Sequence, residues 1–184
     1  IYRKFWKKIN KIVIDFSREK SEFYNFIKIY NILYRLNISI PKIYEVYWNK
    51  KIIVMQDFGN DNFNKIFQKN DLHYLLKLAV DNLIIIQNSV TSDDLLKLKK
   101  YTFNDQKKEI SEFIEYYIPY KKIYNFPIDE FYNYWESIYR ENKFIFSNFA
   151  HKDFEFMNLI YLKENNNHFK CGIIDFQNAF LGFI

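Results

Sequence analysis

Along the first sixty residues the apolar positions switch period twice. Residues 2–7 and 11–15 read as two short strands around the turn Lys8-Ile9-Asn10. Ser17 is placed to cap a helix over 18–36, whose apolar positions Phe23, Phe26, Ile27, Tyr30, Leu33 and Leu36 recur every three or four residues. Asn37 and Pro41 end it. Residues 43–48 and 51–55 are two further strands, with Asn49-Lys50 as a polar two-residue hairpin turn. The opening segment therefore predicts β-β-α-β-β.

The loop Asp57-Phe58-Gly59-Asn60-Asp61-Asn62 follows, and beyond it the period is helical. Asn70 or Asp71 caps a helix to about Gln87 that presents Leu72, Leu75, Leu76, Ala79, Leu83 and Ile86. Residues 104–117 predict a second helix. A third, over 127–141, has Pro127 in its first turn and Phe131, Trp135, Ile138 and Tyr139 inward. From Phe144 the pattern changes again. Apolar runs at 159–162 and 169–174 flank Lys163-Glu164-Asn165-Asn166-Asn167, a strand, polar turn and strand. The expected class is α+β, with a small N-terminal unit over 1–58 and a mainly helical unit over 59–184.

Composition narrows the function classes. Apolar types make up 49% of the 184 residues, ample for a core. The single cysteine, Cys171, makes no internal disulfide and is expected buried and inert. No apolar run approaches the roughly 18 residues of a membrane helix and no signal peptide is visible, so the expected location is cytoplasmic, with no membrane partner. The net charge is +5, but the lysines are scattered in pairs such as Lys50-Lys51 and Lys99-Lys100. No nucleic-acid partner is expected, and the 21% aromatic content reads as core filling. The chain starts at Ile1 and stops on an apolar run, Phe180-Leu181-Gly182-Phe183-Ile184, which reads as a piece cut at both ends.

The candidate chemistry sits at the mouth of the last hairpin. Before its first strand stands His151-Lys152-Asp153-Phe154-Glu155-Phe156-Met157-Asn158, and after its second Asp175-Phe176-Gln177. Folding the hairpin returns Asn158 beside Asp175, so two carboxylates and an amide converge. That set suits phosphoryl transfer, where catalysis is mostly positioning and charge neutralisation. Asn158 and Asp175 supply hard oxygens for Mg²⁺, and Asp153 can accept the proton of an attacking hydroxyl. His151 reads as a structural histidine. His73 and His168 have no partners at metal-ligand spacing. Glu19, Glu22, Glu109, Glu112 and Glu115 read as solvated helix faces.

The pair His-Lys-Asp-x4-Asn and Ile-Asp-Phe resembles the catalytic and metal-binding motifs of protein kinases. It is more similar to the aminoglycoside phosphotransferase and choline kinase superfamily. Within that superfamily it is most similar to the bacterial cell-wall amino-sugar kinases, the N-acetylmuramate/N-acetylglucosamine anomeric kinases. Their His-Arg-Asp-Phe-x3-Asn-Leu-Met loop and Leu-Leu-Asp-Phe-Gln-Asp-Ala run match His151 to Ile160 and Ile173 to Ala179. Tyr2-Arg3-Lys4-Phe5-Trp6 resembles the strand after that family's nucleotide-covering loop, and Val54 to Gly59 its hinge. Lys108 to Tyr117 is similar to a Glu-Leu-x2-Phe-x2-Trp-Tyr helix of the family.

The resemblance implies a bilobal protein-kinase-like fold with ATP or GTP in the cleft. Asp153 would be the catalytic base, Asn158 and Asp175 the Mg²⁺ ligands, His151 a buried brace, and Gln56, Asp57 and Phe58 the backbone hinge for the base. The implied acceptor is a small-molecule hydroxyl, an amino sugar first, a choline-like compound or aminoglycoside otherwise. A kinase-shaped binding module without catalysis is the alternative. No lysine stands where protein kinases grip phosphate, which reads Ile12-Val13-Ile14-Asp15 here, and Lys11 or Lys4 is the candidate replacement. Glu155 stands where many relatives carry His. The covering loop would lie upstream of Ile1 and further helices downstream of Ile184.

Overall fold

A computed structural model of the chain describes residues 2–6, 9–69, 71–141 and 146–183. Lys7, Lys8, Asn70, Phe144 and Ile184, which entered the sequence reading, lie outside these, as does the side chain of Lys4.

Four antiparallel strands form the N-terminal sheet: β1 (Tyr2–Trp6), β2 (Ile9–Asp15), β3 (Ile43–Tyr47) and β4 (Ile52–Gln56), in the order β1-β2-β4-β3. Helix α1 (Lys20–Leu33) intervenes between β2 and β3, as the β-β-α-β-β pattern predicts. Two boundaries differ. The β3–β4 pairing closes at Tyr47↔Ile52, so the turn has four residues rather than two. Trp48 leaves the ladder to meet the Phe23 ring edge-on at 5.4 Å, and Lys51 takes the left-handed φ of 55° that lets the chain re-enter. At the head of α1 the capping position is Glu19, without a side-chain cap, not Ser17. The Ser17 amide instead donates to Asp15 Oδ1 at 2.8 Å, a local turn that competes with the cap.

The buried stripe of α1 is wider than its sequence period suggested, because Ile29 and Ile32 are buried along with Phe23, Phe26, Tyr30 and Leu33. The helix is covered on two sides. Phe23 and Tyr30 face the sheet, the latter accepting from the Ile43 amide at 3.2 Å. Phe26 packs on Phe176 near the C-terminus, with centroids 5.0 Å apart.

A short helix α2 (Phe63–Ile66) precedes the long α3 (Leu72–Ser89), which Asp71 caps by accepting from the His73 amide. The face of α3 is rotated from expectation. Leu72 and Leu76 are exposed, while Leu78 and Asn82 are buried. Asn82 is the cause, since its amide donates to the carbonyls of Leu78 (2.8 Å) and His168 (2.9 Å). A polar side chain that pins α3 to the C-terminal hairpin overrides the apolar register.

The expected helix over 104–117 divides. Helix α5 (Phe103–Glu112), begun by a Thr102/Asp105 capping box, widens to one π turn over Phe113–Tyr117 before the short α6 (Ile118–Tyr120). Pro119 has no amide to donate and its ring crowds the preceding turn, which accounts for the widening. In α7 (Ile128–Glu141) no residue is fully buried. Phe131, expected inward, stacks on Phe113 at 5.5 Å, but Trp135 and Ile138, also expected inward, are exposed.

Between α3 and α5 a fourth helix, α4 (Ser92–Leu95), carries a buried charge network. Asp94, 2% exposed, closes a capping box with Thr91 and meets Arg35 (2.6 Å) and Lys97 (3.2 Å). Burial pushes its carboxyl up, but Arg35, Thr91 and Lys97 outweigh this and hold it well below the usual carboxylate range. Asp94→Ala should cost about 1–3 kcal/mol in urea unfolding at pH 7. A depressed native pKa contributes stability above the unfolded value of about 3.9 and loses it as pH falls. The gap between wild type and variant should therefore narrow steadily from about pH 5 down to pH 3.

The C-terminal quarter is built from nested pairings. Strand β5 (Phe146–Ala150) pairs with β8 (Phe180–Phe183), and between them β6 (Leu159–Tyr161) pairs with β7 (Cys171–Ile173). The β6–β7 hairpin was legible in sequence, although 167–170 form a 3-10 turn rather than the start of β7. The β5–β8 ladder was not foreseen. The hairpin is held on both flanks, with the Ile173 amide on the Ser39 carbonyl and the Tyr161 amide on the Asp61 carbonyl, each at 2.8 Å. Cys171 is fully buried on β7, and burial pushes its thiol up to about 12. Among the described residues no helix is long and apolar enough to cross a membrane.

Candidate active site

The nested ladders decide where the candidate residues go. The segment after β5 and the segment after β7 are each gripped at both ends by a ladder, so residues 151–158 and 174–179 face each other. The Ile174 amide donates to the Asn158 carbonyl at 3.1 Å, which closes the gap across the two segments. Asn158 and Asp175 thus line the same cleft, of about 480 Å³, as the hairpin argument predicts.

Within 151–158, Asn158 Nδ2 donates to the carbonyl of Asp153 at 2.9 Å, and the Glu155 amide donates to that carbonyl at 3.0 Å. The loop is thereby a closed ring, with Asp153 fixed by its own peptide. Asn158 Oδ1 and the Asp153 carboxylate accept no hydrogen bond among the described residues. Asp175 sits at φ 61°, ψ 36°, a left-handed conformation Asp adopts more readily than most residues, and Gln177 Nε2 donates to its Oδ1 at 2.7 Å. Its second oxygen has no such donor among the described residues. Asn25 on α1 donates to the Gln177 carbonyl, and Phe176, 1% exposed, is driven into the core beneath it.

His151 is 4% exposed, packed edge-on to Phe154 at 5.5 Å. Neither ring nitrogen makes a full hydrogen bond, the Ile174 backbone being a weak polar neighbour. Burial lowers its pKa, against the opposing pull of Asp153, Asp175 and that backbone, so the ring is held neutral between two carboxylates.

The cleft has two characters. Ile12 and Ile14 of β2, Met55 of β4, Pro41 and Ile174 make an apolar slot. Asp15, Glu19, Glu22, Asn158, Asp175 and Gln177 make a polar end. A side-chain hydrogen bond shared with Glu19, which favours the protonated Glu22 carboxyl, together with partial burial and the charges of Glu19 and Asp175, raises that carboxyl above its ordinary value. The two glutamates are exposed as expected, yet they face the cleft rather than bulk solvent alone. Among the described residues, none of those lining it is Lys or Arg. Lys11, the expected replacement for a phosphate-gripping lysine, lies on the opposite face of β2 beside Glu45 (3.9 Å) and the Tyr44 ring. Strand alternation is the reason: with Ile12 and Ile14 in the cleft, Lys11 and Val13 must face away.

Gln56, Asp57 and Phe58 continue directly from Met55, but their side chains serve the local fold. Gln56 Oε1 accepts from the Lys42 amide at 3.3 Å, and Asp57 Oδ1 from the Gly59 amide at 2.8 Å. Phe58 lies flat on Gly172, where an added Cβ would stand 2.6 Å from Phe58 Cδ2.

A second chamber, of about 420 Å³, opens on the other side of the loop. Lys152, Asn178 and Phe180 wall one side and α5 the other. Lys152, at a left-handed φ of 77°, reaches Glu109 at 2.9 Å, and Tyr101 donates to Glu109 as well. The sequence reading missed this chamber, along with the apolar slot and Gln177 as partner of Asp175. Only the motif position of Gln177 signalled its role.

Asn158 and Asp175 offer the hard-oxygen donors Mg²⁺ takes, with open valences on Oδ1 of one and the second oxygen of the other, so this pair fits such an ion. Among the described residues no group of three or more His, Cys, Asp and Glu is clustered to hold a metal by itself. The remaining ligands would come from water and phosphate.

No protein-family model matches the chain, and no curated protein matches it. Solved structures do. The gentamicin–APH(2'')-IIa complex is 16% identical with a TM-score of 0.56, over 94% of this chain and 60% of that one. The streptomycin–ATP–APH(2'')-IIa ternary complex is 14% identical with a TM-score of 0.59, over 98% and 67%. The ADP-bound aminoglycoside phosphotransferase APH(2'')-Ib is 15% identical with a TM-score of 0.52, over 98% and 66%. The chain therefore has a kinase-like fold and spans about 60–67% of the length of these structures.

Proposed function

We propose that this kinase-like chain belongs to a phosphotransferase that moves the γ-phosphate of ATP or GTP to the hydroxyl of a small molecule, an amino sugar in the first instance. In this reading residues 1–58 and 59–184 are two lobes enclosing the nucleotide. The apolar slot of Ile12, Ile14, Met55 and Ile174 takes the flat base, and the backbone of Gln56 to Phe58 edges it. The triphosphate points to the polar end. The observation that carries the reading is the presence of Asn158 and Asp175 in one cleft while the Asn158 amide ties down the peptide of Asp153.

Each residue then has a role. Mg²⁺, held by Asn158 Oδ1 and Asp175, would offset the charge on the phosphate oxygens. Gln177 orients Asp175 by occupying its Oδ1. Asp153 accepts the proton of the acceptor hydroxyl on a carboxylate oxygen and holds that hydroxyl in line. His151, neutral and buried, fills the space behind both carboxylates. The acceptor enters through the second chamber, where Lys152 and Glu109 border the loop. That no Lys or Arg lines the cleft among the described residues favours a second reading, a nucleotide-binding module of the same shape without turnover.

Titration of the purified protein with Mg²⁺ and ATP separates the readings. Mg²⁺-ATP at a hundred times its Kd should stabilise the chain by about 2.7 kcal/mol, a rise in Tm of several degrees. Asp175→Asn should lose the Mg²⁺-dependent part of that rise. No shift with either ATP or GTP would remove the kinase reading. A shift in wild type without phosphate transfer to any hydroxyl compound would select the binding module.

A further inference from the structure

Helix α1 meets the segment after β7 with three side chains of one face. Glu22, Asn25 and Phe26 are three and four positions apart, so they project on the same side of the helix. Phe26 packs on Phe176, and Glu22 lines the cleft with Asp175. Asn25 does something different. Its side-chain hydrogen bond among the described residues leaves the helix and reaches the Gln177 carbonyl, 152 positions along the chain. Asparagine is a weak helix former, so its place inside α1 follows from that contact rather than from the helix itself. Gln177 passes the contact on, since its Nε2 donates to Asp175 Oδ1 at 2.7 Å. Asp175 is itself exposed, at a left-handed φ of 61°. Packing does not fix the direction of such a carboxylate, and the hydrogen bond it accepts does.

We propose that Asn25 is a positioning residue for the divalent cation. By holding the Gln177 carbonyl it fixes the plane of that peptide, and with it the line along which Gln177 Nε2 meets Asp175 Oδ1. The other carboxylate oxygen is then left free for the ion. The proposal rests on Asp175 as a metal ligand in the phosphotransferase reading, and adds that α1, from more than a hundred positions away, sets the affinity of that ligand. Without Asn25 the Gln177 peptide can turn, the carboxylate samples several directions, and binding must select one of them. Partners that orient a metal ligand typically carry tenfold to a hundredfold in affinity. Asn25 acts one step further out, through Gln177, so its share is about tenfold, the low end of that range.

Mn²⁺ suits the same oxygen ligands as Mg²⁺ and is paramagnetic, so it serves as the probe. Titration of the full chain with Mn²⁺ in the presence of ADP, followed by electron paramagnetic resonance of the free ion, should show Asn25→Ala binding roughly tenfold more weakly than wild type. Gln177→Ala should be weakened at least as much. The double variant should be no weaker than Gln177→Ala, because the two side chains act through one contact. Asn25→Gln, which keeps an amide donor, should recover part of the loss. Asn25 is half-buried and alanine is the better helix former, so Asn25→Ala should still unfold cooperatively without metal. In that metal-free state the side-chain amide resonance of Gln177 should move in Asn25→Ala, which reads the link with no ion present. Equal Mn²⁺ affinity in Asn25→Ala, losses that add in the double variant, or an unmoved Gln177 resonance would each overturn the proposal. Weakening in Gln177→Ala alone would remove Asn25 and leave the phosphotransferase reading standing. Wild type that binds no Mn²⁺ with ADP would overturn the assignment of Asp175 as a ligand, and this proposal with it.

Discussion

Asp153→Asn should lower kcat for phosphate transfer roughly 10²–10⁴-fold, the range lost with a positioned proton acceptor, while leaving Mg²⁺-ATP affinity nearly unchanged. The reason is geometric. The loop is held by the Asp153 carbonyl, which receives Asn158 Nδ2 and the Glu155 amide, and this peptide is the same in the variant. Asparagine keeps the shape of the side chain but cannot take a proton from the acceptor hydroxyl. A steady-state assay with the acceptor, beside nucleotide titration by calorimetry, reads the two effects apart. Unchanged turnover would show that Asp153 is not the base. A parallel loss of nucleotide affinity would show instead that the carboxylate shapes the cleft. Asn158→Ala should differ from Asp153→Asn by weakening both, because it removes the proposed metal oxygen and the donor that closes the ring.

Phe176→Ala should be the most destabilising single change near the site, at about 3–5 kcal/mol. The ring is 1% exposed and packs on Phe26 of α1 at 5.0 Å, in the seam that joins the helix to the C-terminal hairpin. Typical domains have only about 5–15 kcal/mol to lose, so the variant should unfold at markedly lower urea concentration. Its position gives a second consequence. Asp175 sits in a left-handed conformation directly before Phe176, and Gln177 is tied to Asn25 directly after it. Loss of the ring removes the anchor of that turn. Mg²⁺-ATP should therefore stabilise Phe176→Ala less than wild type, whereas Leu75→Ala, equally buried on α3 away from the cleft, should keep the full ligand-induced shift. An equal ligand shift in both variants would show that the turn does not need the ring.

The elements most legible along the chain were those whose signal is local. The strands β2 and β4, helix α1 and the β6–β7 hairpin follow from apolar period and turn residues, which depend on neighbours a few positions away. The errors have local-versus-distant causes. Trp48 left its strand to reach Phe23, Asn82 rotated the buried face of α3 to reach His168, and Pro119 opened a π turn where period alone drew an unbroken helix. The face of a helix is chosen by what covers it, and the covering partner is distant in sequence.

The same division holds for the site. The triad of Asp153, Asn158 and Asp175 could be chosen from residue types and spacing, because a hairpin returns its two ends to one place whatever surrounds it. That Lys11 faces away from the cleft while Ile12 and Ile14 line it depends on which side of β2 receives α1 and the hairpin, which burial settles and spacing does not. The β5–β8 ladder belongs to the same class. It joins residues some thirty positions apart, it has no turn signature, and yet it clamps the outer ends of both functional segments. Chain order alone thus specified which side chains are the candidates for the chemistry, since that is a matter of short-range connectivity. Long-range packing specified the cleft that Asn158 and Asp175 share and the chamber beside it, because cavities are bounded by elements that meet only once the core has formed.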